Sequence, residues 1–373
     1  MVKKILTPII FVLLSTVLLL PAEAGGIENP ETPPAKNAGR LAKITEILRI
    51  TDEGGQFYFK TPSRLLVAPD GCVFVSDEKQ FLKFDKQGKF IANLQRPGEG
   101  PGEYVYINNF QVIGDRLIVN AFQPHKMVIC DLSGKLIKET RLNSQPGLKR
   151  VVGIFADKYY YFQGALVFNE IKGGMQVLNM NLYVSTFDDK VTDLKLKLPQ
   201  RQFSEKIVSK DGNVMVRIMI MDNFSSALEN EHSLYASNTA EYMIKLIDLA
   251  TGKITGQFTR KYKSVPYVEP EPEDNSRTLK GFTKEFFSDI TGIALYKDKI
   301  WVFTSTVDKK KGVLVDLFGK DGKYLDNVYL PLPQLERPDT LERRSFTIVD
   351  DFLYIMEPDE EETPTIVKYK IEI

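Results

Sequence analysis

Histidine and cysteine are scarce in this chain, at two residues each among 373. A catalytic zinc site usually takes three protein ligands, so His125 and His232 fall short of a His-rich metal centre. No Gly-x-Ser-x-Gly occurs, and His125 is the sole candidate base, which leaves a serine or cysteine nucleophile without its partner. Cys72 and Cys130 fall on strands expected inside neighbouring sheets, where buried free thiols are ordinary; an oxidising compartment would also allow them to join. Net charge is missing too, because 49 basic residues balance 49 acidic ones. That balance argues against nucleic acid or an anionic membrane as the main partner.

Long apolar runs are confined to the first residues. MVKKILTPIIFVLLSTVLLLPAEA places Lys3 and Lys4 before an apolar run from Ile5 to Leu20, then the small residues Ala22 and Ala24. Residues 1–24 therefore read as a secretory signal peptide cleaved before Gly25, which leaves no integral membrane span and makes the mature chain periplasmic or extracellular. No cysteine follows the run, so a lipid anchor is not expected. Residues 25–40, rich in Pro, Gly and charge, read as a flexible leader.

What is abundant is the strand-and-turn pattern of residues 41–373. From Pro62 to Gly134 two copies of one plan follow each other: an apolar run, a tight turn (Asp70-Gly71; Gly114-Asp115), a second run, a polar break and a third run. Each copy closes with Asp-x-x-Gly-Lys (Asp85 to Lys89; Asp131 to Lys135) and a fourth run. Asp-Gly between β-rich runs is a strong hairpin signal because the turn needs positive φ at its centre. Four strands joined this way make one antiparallel blade, so the fold is read as an all-β, six-bladed β-propeller. Blade one spans about Thr61 to Gln95 and blade two about Ile107 to Leu142. Blade three starts near Val151, and blade four is expected to open with the strand Val214 to Met221. Blade five opens with ITGIALY. The C-terminal segment holds only three strand-like runs, and Leu41 to Ile50 is expected to supply the fourth, removing the exposed sheet edges. Asn275 to Asp289 is the one stretch read as a helix, with Ser276 as its cap.

Pro62 before the first strand, Asp70-Gly71, Val75-Ser76-Asp77, Phe84-Asp85 with Gly88, and the connector Gly98-Glu99-Gly100-Pro101-Gly102-Glu103-Tyr104 resemble NHL-type propellers. They resemble in particular the exported bacterial six-bladed propellers. The resemblance spans about 75 residues; it implies a binding scaffold and carries over no reaction. Related propellers include amidating lyases, which hold zinc through several histidines, and calcium-dependent lactonases.

In a propeller the connections between blades share one end of the ring with the turns between second and third strands. That end collects the longest insertions here, and long loops on a rigid scaffold favour function. The ligand-facing candidates are Arg96, Glu99, Tyr104, His125, Arg150, Arg201, Arg343 and Arg344. Together with Lys149 and Arg260, these arginines could hold an anion through paired hydrogen bonds, or each could pair with a rim carboxylate. The glycine connector serves a tight bend between blades, with Tyr104 packed beneath it, and does not open a helix as a phosphate loop would. The acidic runs at Glu357 to Glu362 and Glu269 to Asp274 lack the ligand-and-glycine alternation of a calcium loop. The expectation is a monomeric exported scaffold that binds a protein, peptide or glycan, without catalysis and without a cofactor. The alternative is a calcium-type lyase or hydrolase acting on a carbohydrate or lactone.

Overall fold

In the computed structural model the described residues are 26–373, apart from 53, 143–148, 156–157, 165–173, 189, 209–210, 213, 269–283, 334, 336 and 339–344. The chain opens with β1 (Gly26–Asn29), β2 (Arg40–Leu41) and β3 (Lys43–Ile50). Blade one is β4 (Pro62–Val67), β5 (Val73–Asp77), β6 (Gln80–Phe84) and β7 (Phe90–Asn93). Blade two is β8 (Ile107–Ile113), β9 (Arg116–Ala121), β10 (Lys126–Asp131) and β11 (Leu136–Arg141). Blade three has five strands: β12 (Lys149–Phe155), β13 (Lys158–Gly164), β14 (Gly174–Thr186), β15 (Val191–Val208) and β16 (Val214–Ile220). Blade four is β17 (Ser225–Leu228), β18 (Ser233–Ser237), β19 (Met243–Asp248) and β20 (Lys253–Arg260). Blade five is β21 (Ile290–Tyr296), β22 (Lys299–Asp308), β23 (Gly312–Gly319) and β24 (Tyr324–Leu330). Blade six is β25 (Phe346–Val349), β26 (Phe352–Pro358), β27 (Pro364–Glu372) and, on its outer edge, β3.

The first strands of the six blades touch in a closed circle, β4 to β8, β12, β17, β21, β25 and back to β4, so the sheets encircle an axis. Each blade is buried on both faces, which explains its near-continuous apolar strands. Consecutive residues serve opposite neighbours. In β22, Trp301 and Phe303 pack toward blade six, whereas Ile300 and Val302 pack toward blade four. The core is accordingly divided into six wedges, one between each pair of adjacent blades.

The ring closes as the sequence suggests, with β3 antiparallel to β27 from Ile366 opposite Ile50 to Glu372 opposite Lys43. The closing turns also behave as read. Asp85 Oδ1 accepts from the backbone N–H of Gln87 and of Lys89, both at 2.9 Å, while Gly88 takes φ 81°. A Cβ on Gly88 would lie 3.0 Å from side-chain atoms of Leu48 and Ile50 in the closing strand, so this glycine is required by both conformation and space.

Three expectations are corrected. Gly26–Asn29 and Arg40 belonged to the expected leader and Leu41 to the expected closing strand, yet β1 pairs in parallel with β20 and β2 (Arg40–Leu41) in parallel with β24. The N-terminal segment therefore crosses the outer edges of blades four and five before entering blade six, satisfying backbone groups those edges would otherwise expose. Val214–Ile220 is the fifth strand of blade three and not the first of blade four, because its hydrogen-bond partner is β15 from Gln202 to Val208. The expected helix does not reach residues 284–289. There Phe286 bridges Pro266, with Tyr267 N–H donating to Glu285 O at 2.9 Å and Phe287 N–H to Val265 O at 3.0 Å; residues 275–283 lie outside the described set.

Candidate functional site

Inter-blade connections and the turns between second and third strands meet at one end of the ring, the connection face. Blade three rises above it. β14 pairs with β13 only from Met180 onward, while its first residues, Gly174 to Asn179, pair with β15 alone. β16 returns along the same part of β15. The result is a three-stranded arm projecting from the ring, on which Met175, Phe203 and Met219 stand in register. Met175 is 54% exposed and Val177 63%, so the edge strand of the arm presents apolar side chains to solvent.

Beneath the arm lies a cavity of about 340 Å³, reached from the connection face. Met175, Met221, Phe286 and Phe287 supply its apolar wall, and Arg201, Glu241, Lys284 and Glu285 its charges. Arg201 is fixed there by Asp222: its Nε lies 2.8 Å and its terminal nitrogen 2.7 Å from Oδ1, and its backbone N–H donates to Oδ2 at 2.6 Å. The pair keeps one rim charge oriented while 42% of the Arg201 side chain stays exposed. Its pKa is raised, chiefly by the Asp222 hydrogen bond.

The other sequence candidates scatter. Tyr104 is only 3% exposed, wedged with Phe110, Leu117 and Cys130 between blades one and two, and burial pushes its phenol far up. It packs under the glycine connector and does not face a ligand. The connector is no anion cradle either. Gly100 N–H is taken by Glu103 Oε2 at 2.9 Å and Gly102 N–H by Glu139 Oε2 at 2.7 Å. Lys126, fully buried, ties the connector down through Gly100 O at 2.7 Å and Glu139 Oε2 at 2.8 Å. Arg96 and Glu99 are exposed on this connector. His125 sits half-buried on the turn between β9 and β10, at the connection face, and His232 on the turn between β17 and β18, at the opposite end. Arg343 and Arg344 lie outside the described residues, as does the acidic stretch Glu269 to Asp274.

Arg260 is structural. Its Nε lies 2.8 Å from Asp316 Oδ2, Tyr242 and Tyr324 each donate to Asp316 at 2.7 Å, and the guanidinium lies over the rings of Tyr242, Tyr262 and Tyr324. Glu357 is likewise buried, 3.2 Å from Arg49 and accepting from Tyr369 at 2.7 Å, so it leaves the expected acidic run. Among the described residues no three His, Cys, Asp or Glu side chains converge as a metal group. Cys72 and Cys130 are free thiols in one wedge, and burial raises Cys130 to about 11.

Arg64 was absent from the sequence candidates. It lies on β4, the first strand of blade one, as Arg150 lies on β12, the first strand of blade three; both are near the axis at the connection face, and each strand carries a register shift close to its arginine. Bulges of this kind re-aim side chains at barrel rims. The only signal in the sequence was an arginine inside an apolar run, which does not reveal direction.

A closed ring of six antiparallel blades, five of four strands and one of five, with its elaborations gathered at one end, is the architecture of a six-bladed propeller. The chain belongs to the family described as 6-bladed beta-propeller, whose model matches residues 51–268. No curated protein matches it in sequence. Among solved structures, a member of the DUF4221 family from Bacteroides vulgatus is 11% identical, with TM-score 0.54 over 89% of this chain and 99% of that one. A Bacteroides fragilis protein described as exported is 13% identical over 94% of this chain and 100% of that one, with TM-score 0.49. A gluconolactonase from Xanthomonas campestris is 13% identical over 94% and 98%, with TM-score 0.45. At such identities the likeness is one of fold. Among the described residues no helix is long and apolar enough to cross a membrane.

Proposed function

We propose that this protein is an exported, NHL-like binding scaffold whose connection face receives a segment of another protein or peptide, without catalysing a reaction. The observation that carries this is the projecting arm of blade three. Met175, Val177 and Met219 leave apolar surface open on this arm, and Met175 also lines the cavity, which has both an apolar wall and charges of both signs. An apolar stripe beside oriented charges suits an extended peptide, which offers alternating side chains and polar backbone, better than it suits a glycan, which is held by flat aromatic platforms and hydrogen bonds. Arg201, locked by Asp222, supports a fixed polar contact at the rim.

The test is affinity selection from a displayed peptide library against the native protein and against Met175→Asp with Val177→Asp. Peptides selected on the native protein should bind the double variant at least about tenfold more weakly, since burying two such side chains is worth more than about 1.4 kcal/mol. The melting temperature should change little, because both side chains are exposed. Selected peptides that bind both proteins equally would refute the assignment.

A further inference from the structure

A second feature of the connection face lies nearer the axis than the cavity and is independent of it. Arg64 on β4 and Arg150 on β12 are cations on the axis-lining first strands of two blades, both at the end of the ring that carries the connection face, and the charge of Arg150 bears on Arg64. The Nε of Arg64 is removed from water and has no hydrogen-bond partner. One terminal nitrogen of Arg150 donates to Phe224 O at 2.9 Å, and its guanidinium stacks over the Phe224 ring at 4.8 Å. Among the described residues neither makes an ion pair. Burial pulls Arg64 down to about 10, with Arg150 adding to the fall, and burial lowers Arg150 as well. Arg150 is nonetheless reached by solvent, as expected of a group at an opening walled by protein.

Two cations at one opening without a carboxylate are costly, and a buried donor without an acceptor adds to the cost. The buried cations Lys126 and Arg260 are satisfied from within, Lys126 by Glu139 and Arg260 by Asp316. The mouth of the axis is different in kind. Phe224 holds the Arg150 plane while leaving further N–H groups unspent, and the planar fork of a guanidinium matches two oxygens of an oxyanion.

We propose that Arg64 and Arg150 form a receiving site for an oxyanion, the carboxylate of an acidic ligand or an inorganic equivalent, at the mouth of the axis. An anion between them would supply the missing acceptor for Arg64 and remove the repulsion. The walls would strengthen the attraction by excluding water.

The experiment is calorimetric titration and thermal unfolding of the full mature chain with sodium galacturonate, with sodium sulfate, and with galactose as the neutral control. All are run at one ionic strength set with chloride. Galacturonate should bind and raise the melting temperature, and galactose should do neither. A response to sulfate would make the site general for oxyanions, and its absence would restrict it to carboxylates. Arg64→Met should weaken anion binding about tenfold to a hundredfold, and without anion it should melt no lower than the native protein. Arg116→Met, on the opposite end of the ring, should leave binding unchanged. The proposal is overturned if neither anion binds, if Arg64→Met binds them as well as the native protein, or if Arg64→Met unfolds in their absence. Arg150→Met, judged by the same readouts, guards against an effect peculiar to position 64. None of these outcomes bears on peptide binding at the arm, so the two readings fail separately.

Discussion

Arg260→Met offers the sharpest check on how blades four and five are joined. Asp316 is fully buried and faces Arg260 at 2.8 Å. Removing the cation strands a carboxylate held only by the hydroxyls of Tyr242 and Tyr324. Breaking a buried pair from one side typically costs about 3–5 kcal/mol. The stranded carboxyl has an escape, which is to take up a proton. With an ordinary aspartate pKa near about 3.9 and about 1.4 kcal/mol per pH unit, that uptake costs about 4 kcal/mol at pH 7 and about 1.5 kcal/mol at pH 5. The penalty of the variant is therefore capped by pH and shrinks on acidification. The sign follows from linkage: burial already raises the folded-state pKa of Asp316 in the native protein against the opposing pull of Arg260, and removing Arg260 raises it further, so the protonated form is fully favourable below about pH 4 and is lost as pH rises through the new pKa. Urea unfolding followed by the fluorescence of Trp301, the single tryptophan and itself buried, reads this directly. Adding Asp316→Leu should restore most of the loss at pH 7. A variant that loses less than about 1 kcal/mol at pH 7, or equally much at pH 5, would show that water reaches Asp316 and that the network is not sealed.

Two other predictions concern single positions. Gly88 and Gly39 have similar positive φ, 81° and 74°, but a Cβ on Gly88 meets the closing strand at 3.0 Å whereas one on Gly39 meets nothing within 4 Å. Gly39→Ala should cost about 1–2 kcal/mol of backbone strain and Gly88→Ala about 1 kcal/mol or more beyond that; equal costs in unfolding would mean that blade six is not pressed against blade one there. Asp289 is buried with one oxygen unpartnered, and burial pushes its carboxyl up to about 6. The native protein should then lose this contribution as pH rises through 6, so Asp289→Asn should melt higher than native at pH 7.5 and coincide with it at pH 4; a lower melting temperature for the variant at both values would contradict this.

What the chain determined alone is its local chemistry and, through it, the architecture. Asp85, Gly88, Asp131 and Gly134 impose their turns wherever they occur, because an aspartate oxygen caps the following N–H groups and glycine alone takes positive φ freely. The period of those turns announces blades, and three C-terminal strand runs lacking a fourth announce closure by Leu41 to Ile50, of which Lys43–Ile50 pairs with β27. Pairing partners at a distance were another matter. Val214–Ile220 has the same apolar alternation whether it opens blade four or completes blade three, and only the hydrogen bonds to Gln202–Val208 decide. Gly26–Asn29 has the composition of a linker and becomes a strand because the edge of β20 offers it partners. The sites depend on this same kind of information. Tyr104, Arg201, Arg260 and Arg64 are indistinguishable in sequence as aromatic or cationic residues near turns. Burial under a connector, pairing with Asp222, enclosure by three tyrosines and a position near the axis where the charge of Arg150 bears are set by how the blades are arranged. Direction of a side chain is a property of packing, and packing exists only once the ring has closed.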